Sequence, residues 1–196
     1  MASMTKNDIA EILAQSAAVK LATSEACSAT ALEASQMIAE ALKNGCKLML
    51  CGNGGSAGDA QHLAAEFVGM LEHQRPRPGY AALALTTDTS FITAYANDVG
   101  FDGIFARQVE TLGEAGDVLI GITTSGNSKN VVAAMELAQE HDISTIALTG
   151  EDGGTIIKHA DIAISVPSNK TMHIQEAHIA LGHVITLAVE TLLGHS

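Results

Sequence analysis

The sequence contains no Trp, and aromatic residues make up 3% of its 196 positions, so its interior is built from Ala, Leu, Ile and Val rather than large rings. Positive charge is scarce: 10 Lys and Arg face 22 Asp and Glu, a formal net charge of −12, with no basic run anywhere. Nucleic acid and anionic membrane need a positive face and are therefore not expected as partners. Only three cysteines occur (Cys27, Cys46, Cys51). Their odd number and the lack of a CxxC pair fit small packed thiols in a reducing, cytoplasmic setting. No stretch reaches the ~18 consecutive apolar residues of a membrane span. The nearest, 174–193, is broken by Glu176, His178, His183 and Glu190. Residues 1–13 carry Asp8 and Glu11 where a signal peptide needs unbroken apolar sequence, so no export is expected.

What is present is 47% apolar residue against 16% charged, enough to bury the core of one α/β domain. Residues 7–24 place Ile9, Ile12, Leu13, Ala17 and Leu21 on one stripe, and residues 29–43 do the same with Leu32, Ile38, Ala41 and Leu42 before Asn44-Gly45. These patterns predict two leading helices. Short apolar runs then follow at 47–51, 81–85, 118–122, 145–148 and 162–166, each leading through Gly, Ser, Thr or Asp into a helical segment. Such an alternation predicts five strands in a parallel sheet covered on both faces, and a last helix spans roughly 172–193. No linker, repeat or low-complexity tract interrupts it.

In open α/β sheets ligands bind beyond the carboxyl ends of the strands, so the strand-to-helix turns carry the information. After the first strand comes Gly52-Asn53-Gly54-Gly55-Ser56-Ala57-Gly58, with a helix expected from near Ala57. Glycines let backbone approach a ligand, and free N–H groups at a helix start attract an anion. After the third strand comes Thr123-Thr124-Ser125-Gly126-Asn127-Ser128. Its hydroxyls, without charge and before a helix, describe a phosphate cradle of neutral donors. Other patterns fit the first loop less well. Gly52-x-Gly54-x-x-Ala57 spells a dinucleotide fingerprint, but Glu72 precedes the second strand instead of ending it. Gly54-x-Ser56-x-Gly58 spells a nucleophile elbow, yet His178 and His183 fall inside the closing helix. The Walker pattern fails for want of a Lys-Ser/Thr pair. A plain Gly-rich turn beside a Ser/Thr-rich turn stays open as the bland alternative.

His62 and Glu66 are four apart on the helix after the Gly-rich loop and project from one face. That pair suits a shared cation or acid–base work, or simply a solvated helix surface; the flanking Leu63, Ala64, Ala65, Phe67 and Val68 favour burial. The last helix offers Gln175, Glu176, His178 and His183. Glu176 and His183 share a face well, whereas Gln175 and His183 diverge by roughly 80° at 3.6 residues per turn. Spacing leaves the choice open, and a satisfied core histidine remains possible for His178 and for His183. His73, His141, His159 and His195 read as surface. Asn97-Asp98, before Val99-Gly100-Phe101, reads as a polar turn that binds sugar hydroxyls or caps the next helix.

Taken together, Cys51-Gly-Asn-Gly-Gly-Ser-Ala, Ala60-Gln-His-Leu-Ala-Ala-Glu66, Thr86-Thr-Asp-Thr-Ser90, Ala96-Asn-Asp-Val-Gly-Phe101, Gly116-Asp-Val-Leu-Ile, Thr124-Ser-Gly-Asn-Ser128, Ala147-Leu-Thr-Gly, Asp152-Gly-Gly154 and Ile174-Gln-Glu-x-His178 closely resemble the phosphoheptose isomerases of the sugar-isomerase (SIS) superfamily. The match runs in order over nearly the whole chain. The resemblance implies one SIS domain over 1–196, with N-terminal helices in 1–44 used in oligomerisation and a flavodoxin-like three-layer αβα core over 45–196. It implies a cytoplasmic homotetramer with active sites at subunit interfaces and one divalent metal, Zn2+ above all, without a nucleotide cofactor. The metal ligands carried over are His62, Glu66, Gln175 and His183, which chooses Gln175 over Glu176. Thr123, Thr124, Ser125 and Ser128 would hold phosphate. Asn53, Gly54, Gly55 and Ser56 would line the sugar site, with Asn97 and Asp98 on hydroxyls. Glu66 and His183 would be catalytic, converting sedoheptulose 7-phosphate to D-glycero-D-manno-heptose 7-phosphate on the way to lipopolysaccharide or capsule.

Three departures stand out. Thr123 replaces a usual Ser, Met172-His173 replaces a small or acidic residue followed by Arg, and Gly58 replaces a frequent Ala. The same superfamily also holds non-catalytic proteins that associate with a replication initiator; they lack the isomerase site, whereas all four ligand positions are filled here.

Overall fold

The computed structural model describes residues 4–72, 74 and 76–195. Helix α1 (Lys6–Lys43) leads into β1 (Leu48–Gly52), α2 (Gly55–Val68), β2 (Ala82–Ala84) and α3 (Thr89–Asp98). A short 3₁₀ turn at Phe101–Gly103 precedes α4 (Ala106–Leu112), β3 (Val118–Ile122), α5 (Lys129–Glu140) and β4 (Ser144–Gly150). A second 3₁₀ turn, β5 (Ile162–Val166) and α6 (Thr171–Leu192) complete the chain. All strand pairs are parallel, in the order β2-β1-β3-β4-β5.

The unbroken apolar strand runs follow from burial on both faces. Alternate side chains point to opposite sides of a strand, so Leu48 and Leu50 join a core with α1, α2 and α6, while Met49 and Cys51 join another with α4 and α5. This gives the three-layer sandwich that the alternation of elements predicts. All three cysteines are free thiols, two of them buried. Among the described residues no helix is long and apolar enough to cross a membrane.

Several boundaries differ from expectation. The two predicted leading helices are one helix of 38 residues. The stretch 24–28 lacks Gly and Pro, and the hydroxyls of Thr23 and Ser24 bond back to the carbonyls of Val19 and Leu21 instead of capping a new helix. The predicted apolar stripe is also reversed in part: Ile9, Leu13, Leu21 and Leu32 are exposed. Ile38 and Ala41 are buried as expected, but the rest of the face that α1 buries is made of small residues, Ser16, Thr23, Cys27, Ala31, Ala34 and Ser35, which bring its backbone close to α6 and β5. Strand β2 is only three residues long, as suits a sheet edge, and α2 starts at Gly55, two residues earlier than expected.

Candidate functional site

The chain order reverses between β1 and β3: from β1 the chain goes out to β2 on one side and then returns to β3 on the other. The two unusual loops flank that switch point, where an open α/β sheet leaves a crevice. The Gly-rich loop turns sharply. Gly54 adopts φ +56°, and a Cβ on Gly52 would stand 2.8 Å from the Ser56 backbone oxygen. Only glycine fits both demands. No side chain caps the start of α2; Ser56 N donates to Asn53 O at 3.0 Å and Ala57 N to Gly54 O at 3.1 Å, so the loop's own carbonyls close the first turn.

The second loop is ordered by its own hydroxyls. Thr123 Oγ1 lies 2.9 Å from Ser128 Oγ and 3.4 Å from Ser125 Oγ, and Asn127 N donates to Ser125 Oγ at 3.2 Å. Thr123 is buried, and its hydroxyl meets the partners a Ser would meet. Ser128, the residue before α5, uses its hydroxyl on Thr123 and leaves the helix start without a side-chain cap. A wall formed by residues 153–155 backs the loop: Asn127 Oδ1 accepts from Thr155 N and Oγ1, and a Cβ on Gly126 would stand 2.0 Å from Gly153 O. The two loops are tied together by a reciprocal amide pair. Asn53 Nδ2 donates to Asn130 Oδ1 at 2.8 Å, and Asn130 Nδ2 donates to Asn53 Oδ1 at 2.9 Å. The Asn53 side chain is thus a strut from the Gly-rich loop to the first turn of α5, and its backbone carbonyl accepts from Ser56 N at 3.0 Å. Asn130, the other half of that strut, carried no signal in the sequence beyond lying near the hydroxyl loop.

His62 and Glu66 project from α2, with Nε2 and Oε1 3.5 Å apart. His183 arrives from α6, and its Nε2 lies 2.8 Å from Nε2 of His62, the rings meeting edge to face at 5.0 Å between centroids. One ring nitrogen donates and the other accepts, the direction being set by the tautomer. The His62 side chain is 49% exposed, more than its apolar neighbours suggest, and the pair opens to the surface. Gln175, on the same helix as His183, donates from Nε2 to Asp59 Oδ1 at 2.6 Å, one turn before His62 on α2. Its Cγ packs where a Cβ on Gly55 would stand 3.3 Å away. Glu176 turns the other way: Ser16 of α1 donates to its carboxylate, and that bond above all holds its pKa below the usual range.

Asp59 was not singled out in the sequence, although a carboxylate at this place in an apolar helix is a signal. Burial pushes its pKa up to about 6 despite the Gln175 amide and the nearby His62, and its Oδ2 has no partner. Two imidazoles and a carboxylate make a donor set that suits a borderline cation such as Zn2+. Two imidazoles on one such tetrahedral ion stand about 3.3 Å apart, so the shorter contact is the hydrogen-bonded form of the pair. Among the described residues no group of three or more His, Cys, Asp or Glu side chains is gathered ready for a metal.

Other expectations are placed elsewhere. Asn97 and Asp98 form the exposed end of α3 rather than a turn before a helix; Asn97 Nδ2 donates to Asp98 Oδ1 at 2.7 Å, and Gly100 stands before the following 3₁₀ turn. Among the described residues no side-chain hydrogen bond joins them to the two loops. His178 is a core residue, its Nε2 3.1 Å from Thr149 O, and burial lowers its pKa to about 4. His141 is exposed, while His159 and His195 are half-buried; His73 lies outside the described residues. His173, at the position of the missing Arg, is buried with Ile174, and its Nδ1 lies 3.5 Å from Glu176 Oε2 one turn along α6. A Cβ on Gly58 would meet nothing within 4 Å, so Ala fits there equally well.

The fold is that of a doubly wound α/β protein, with a neutral, hydroxyl-lined loop and a helix start without a side-chain cap at the switch point where such sheets bind ligands. The SIS domain family matches residues 13–150. A phosphoheptose isomerase of Aquifex aeolicus is 50% identical over 186 residues, covering 94% of this chain and 96% of that protein. One of Roseiflexus is 49% identical over 175 residues, covering 89% and 88%. The structure of the Neisseria gonorrhoeae phosphoheptose isomerase superposes with a TM-score of 0.89 at 44% identity, over 95% of this chain and 98% of that one. The chain belongs to the SIS domain family and, within it, to the phosphoheptose isomerases.

Proposed function

We propose that this chain interconverts sedoheptulose 7-phosphate and D-glycero-D-manno-heptose 7-phosphate through an enediol, supplying heptose for lipopolysaccharide or capsule. The observation that carries this reading is the meeting of His62 and His183, from different helices, with Nε2 atoms 2.8 Å apart beside Glu66. The substrate phosphate is held by Thr123, Thr124, Ser125 and Ser128 with the N-terminus of α5, a neutral site that spares the protein a buried counter-charge. The sugar lies against Asn53, Gly54, Gly55 and Ser56, with Gln175, Asn97 and Asp98 on its hydroxyls.

Glu66 removes the C1 proton of the ketose, and the electron pair of that C–H bond forms the C1–C2 double bond. His183 gives a proton to O2 and later takes one from O1, and Glu66 returns its proton to C2, so the exchange balances without an outside donor. A divalent cation, Zn2+ by the chemistry of the donors, would be held by His62, Glu66, Gln175 and His183 and would polarise the carbonyl as a Lewis acid.

The whole chain acts as one SIS domain in a cytoplasmic homotetramer. Leu13, Leu21 and Leu32 of α1 and Val184 of α6 support this, since they leave a broad apolar face outside the single chain. The exposure of His62 supports a site completed by a neighbouring subunit. The test is incubation with sedoheptulose 7-phosphate, with and without a chelator, following the products by NMR. Aldose formation that the chelator suppresses is expected. No aldose in either arm overturns the reading.

A further inference from the structure

Arg77 sits between two prolines in the segment joining α2 to β2, and its side chain is fully buried. Every guanidinium nitrogen is used. Nε donates to Glu190 Oε1 at 2.6 Å, Nη2 donates to Glu66 O at 2.8 Å, and Nη1 donates to Phe67 O and Pro78 O at 3.0 Å each. The guanidinium also stacks on the Tyr80 ring, 4.2 Å from its centroid. Glu190 belongs to α6, and the same oxygen accepts from Leu71 N at 3.3 Å.

The carbonyls of Glu66 and Phe67 are among the last of α2, which have no partner inside the helix. Arg77 therefore caps the end of α2 and, through Glu190, fastens that end to α6. These two helices carry His62, Glu66, Gln175 and His183. The gap between them is narrow, since a Cβ on Gly182, next to His183, would lie 2.5 Å from both Leu63 methyls. A buried ion pair adds little net stability over apolar packing, but a planar fork with fixed directions sets a spacing that apolar packing leaves softer.

We infer that Arg77 and Glu190 are positioning residues, whose buried clamp on the Glu66 carbonyl sets the separation of α2 and α6 and so the meeting of His62 with His183. The inference rests on the proposed isomerase site for its effect on catalysis, and on the histidine contact for its geometry. Arg77→Lys keeps a cation opposite Glu190 but loses the fork. At 20 °C, with folding verified by circular dichroism, it should weaken Zn2+ binding in chelator competition by about tenfold and lower kcat by a similar factor, with KM within twofold. Its apoprotein crystal structure should show the His62–His183 contact opened. Glu190→Gln keeps the acceptor and should give a smaller loss of the same kind; it decides the matter if Arg77→Lys does not fold. Lys47→Met breaks the Lys47–Asp117 pair, which ties the starts of β1 and β3 and touches neither α2 nor α6, and should lower Tm while leaving Zn2+ affinity unchanged. Wild-type Zn2+ affinity, kcat and histidine contact in Arg77→Lys and Glu190→Gln would reduce the clamp to a stability element and overturn the inference. If the wild type does not isomerise, the functional reading fails, and the histidine contact alone judges the clamp.

Discussion

The hydroxyl loop at 123–128 and the imidazole pair His62–His183 face the same substrate in the proposed reaction but are ordered by different means. The loop is held by bonds among its own neighbours, Thr123 with Ser125 and Ser128, against the wall at Gly153. The pair joins residues 121 apart and depends on how α2 packs on α6. The loop contains no ionisable group, so its donors keep their character at any ordinary pH. The pair consists of ionisable rings and is partly open to solvent. In the proposed reaction the contiguous neutral cradle binds and the discontinuous ionisable cluster reacts.

That contrast is broken most sharply by Glu66→Gln, which should lower kcat by roughly 10³-fold while sugar-phosphate binding, read by calorimetry, survives. Retained turnover would remove Glu66 from the role of base. The loop should fail for a different reason. Gly126 has φ +67° and an added Cβ would collide with Gly153 O, so Gly126→Ala should cost about 3 kcal/mol or more in denaturant unfolding and weaken phosphate binding. No functional group is lost there, only space.

The smallest effect sharpens the comparison on the side of charge. His178 is held neutral by burial with a pKa of about 4 against an ordinary 6.5. Between those values the unfolded chain binds a proton that the folded chain refuses, so stability is full above 6.5 and falls as pH drops toward 4. The loss should reach about 2–3 kcal/mol, and His178→Gln should remove most of it in unfolding curves taken at pH 7 and pH 4.5. Asp59 acts in the opposite sense: raised to about 6, it takes up a proton in the fold and stabilises as pH falls. The difference between variant and wild type, rather than the wild-type curve, isolates the histidine.

The strands were legible because a strand buried on both faces needs an unbroken apolar run, and Val118–Ile122 is one. Both loops were legible because Gly52, Gly54 and the hydroxyls at 123–128 meet local demands with local residues. The unity of α1 was not, since its middle turns carry Ser and Thr that cap helices elsewhere and here bond back to their own helix. Its buried face was misread because small residues give a weak hydropathy signal, while the exposed leucines give a strong one. Arg77 and Asn130 were missed for another reason: each is defined by a partner more than 70 residues away, Glu190 and Asn53.

By itself the sequence determined the period of each element, the flexible turns and the stock of donors, because these depend on torsion angles and on neighbours a few residues apart. Only the tertiary structure decided that Gln175 reaches Asp59 on α2 and that His62 meets His183. Those outcomes depend on distances between helices, which are fixed by packing and by buried pairs such as Arg77–Glu190, not by the order of residues along the chain.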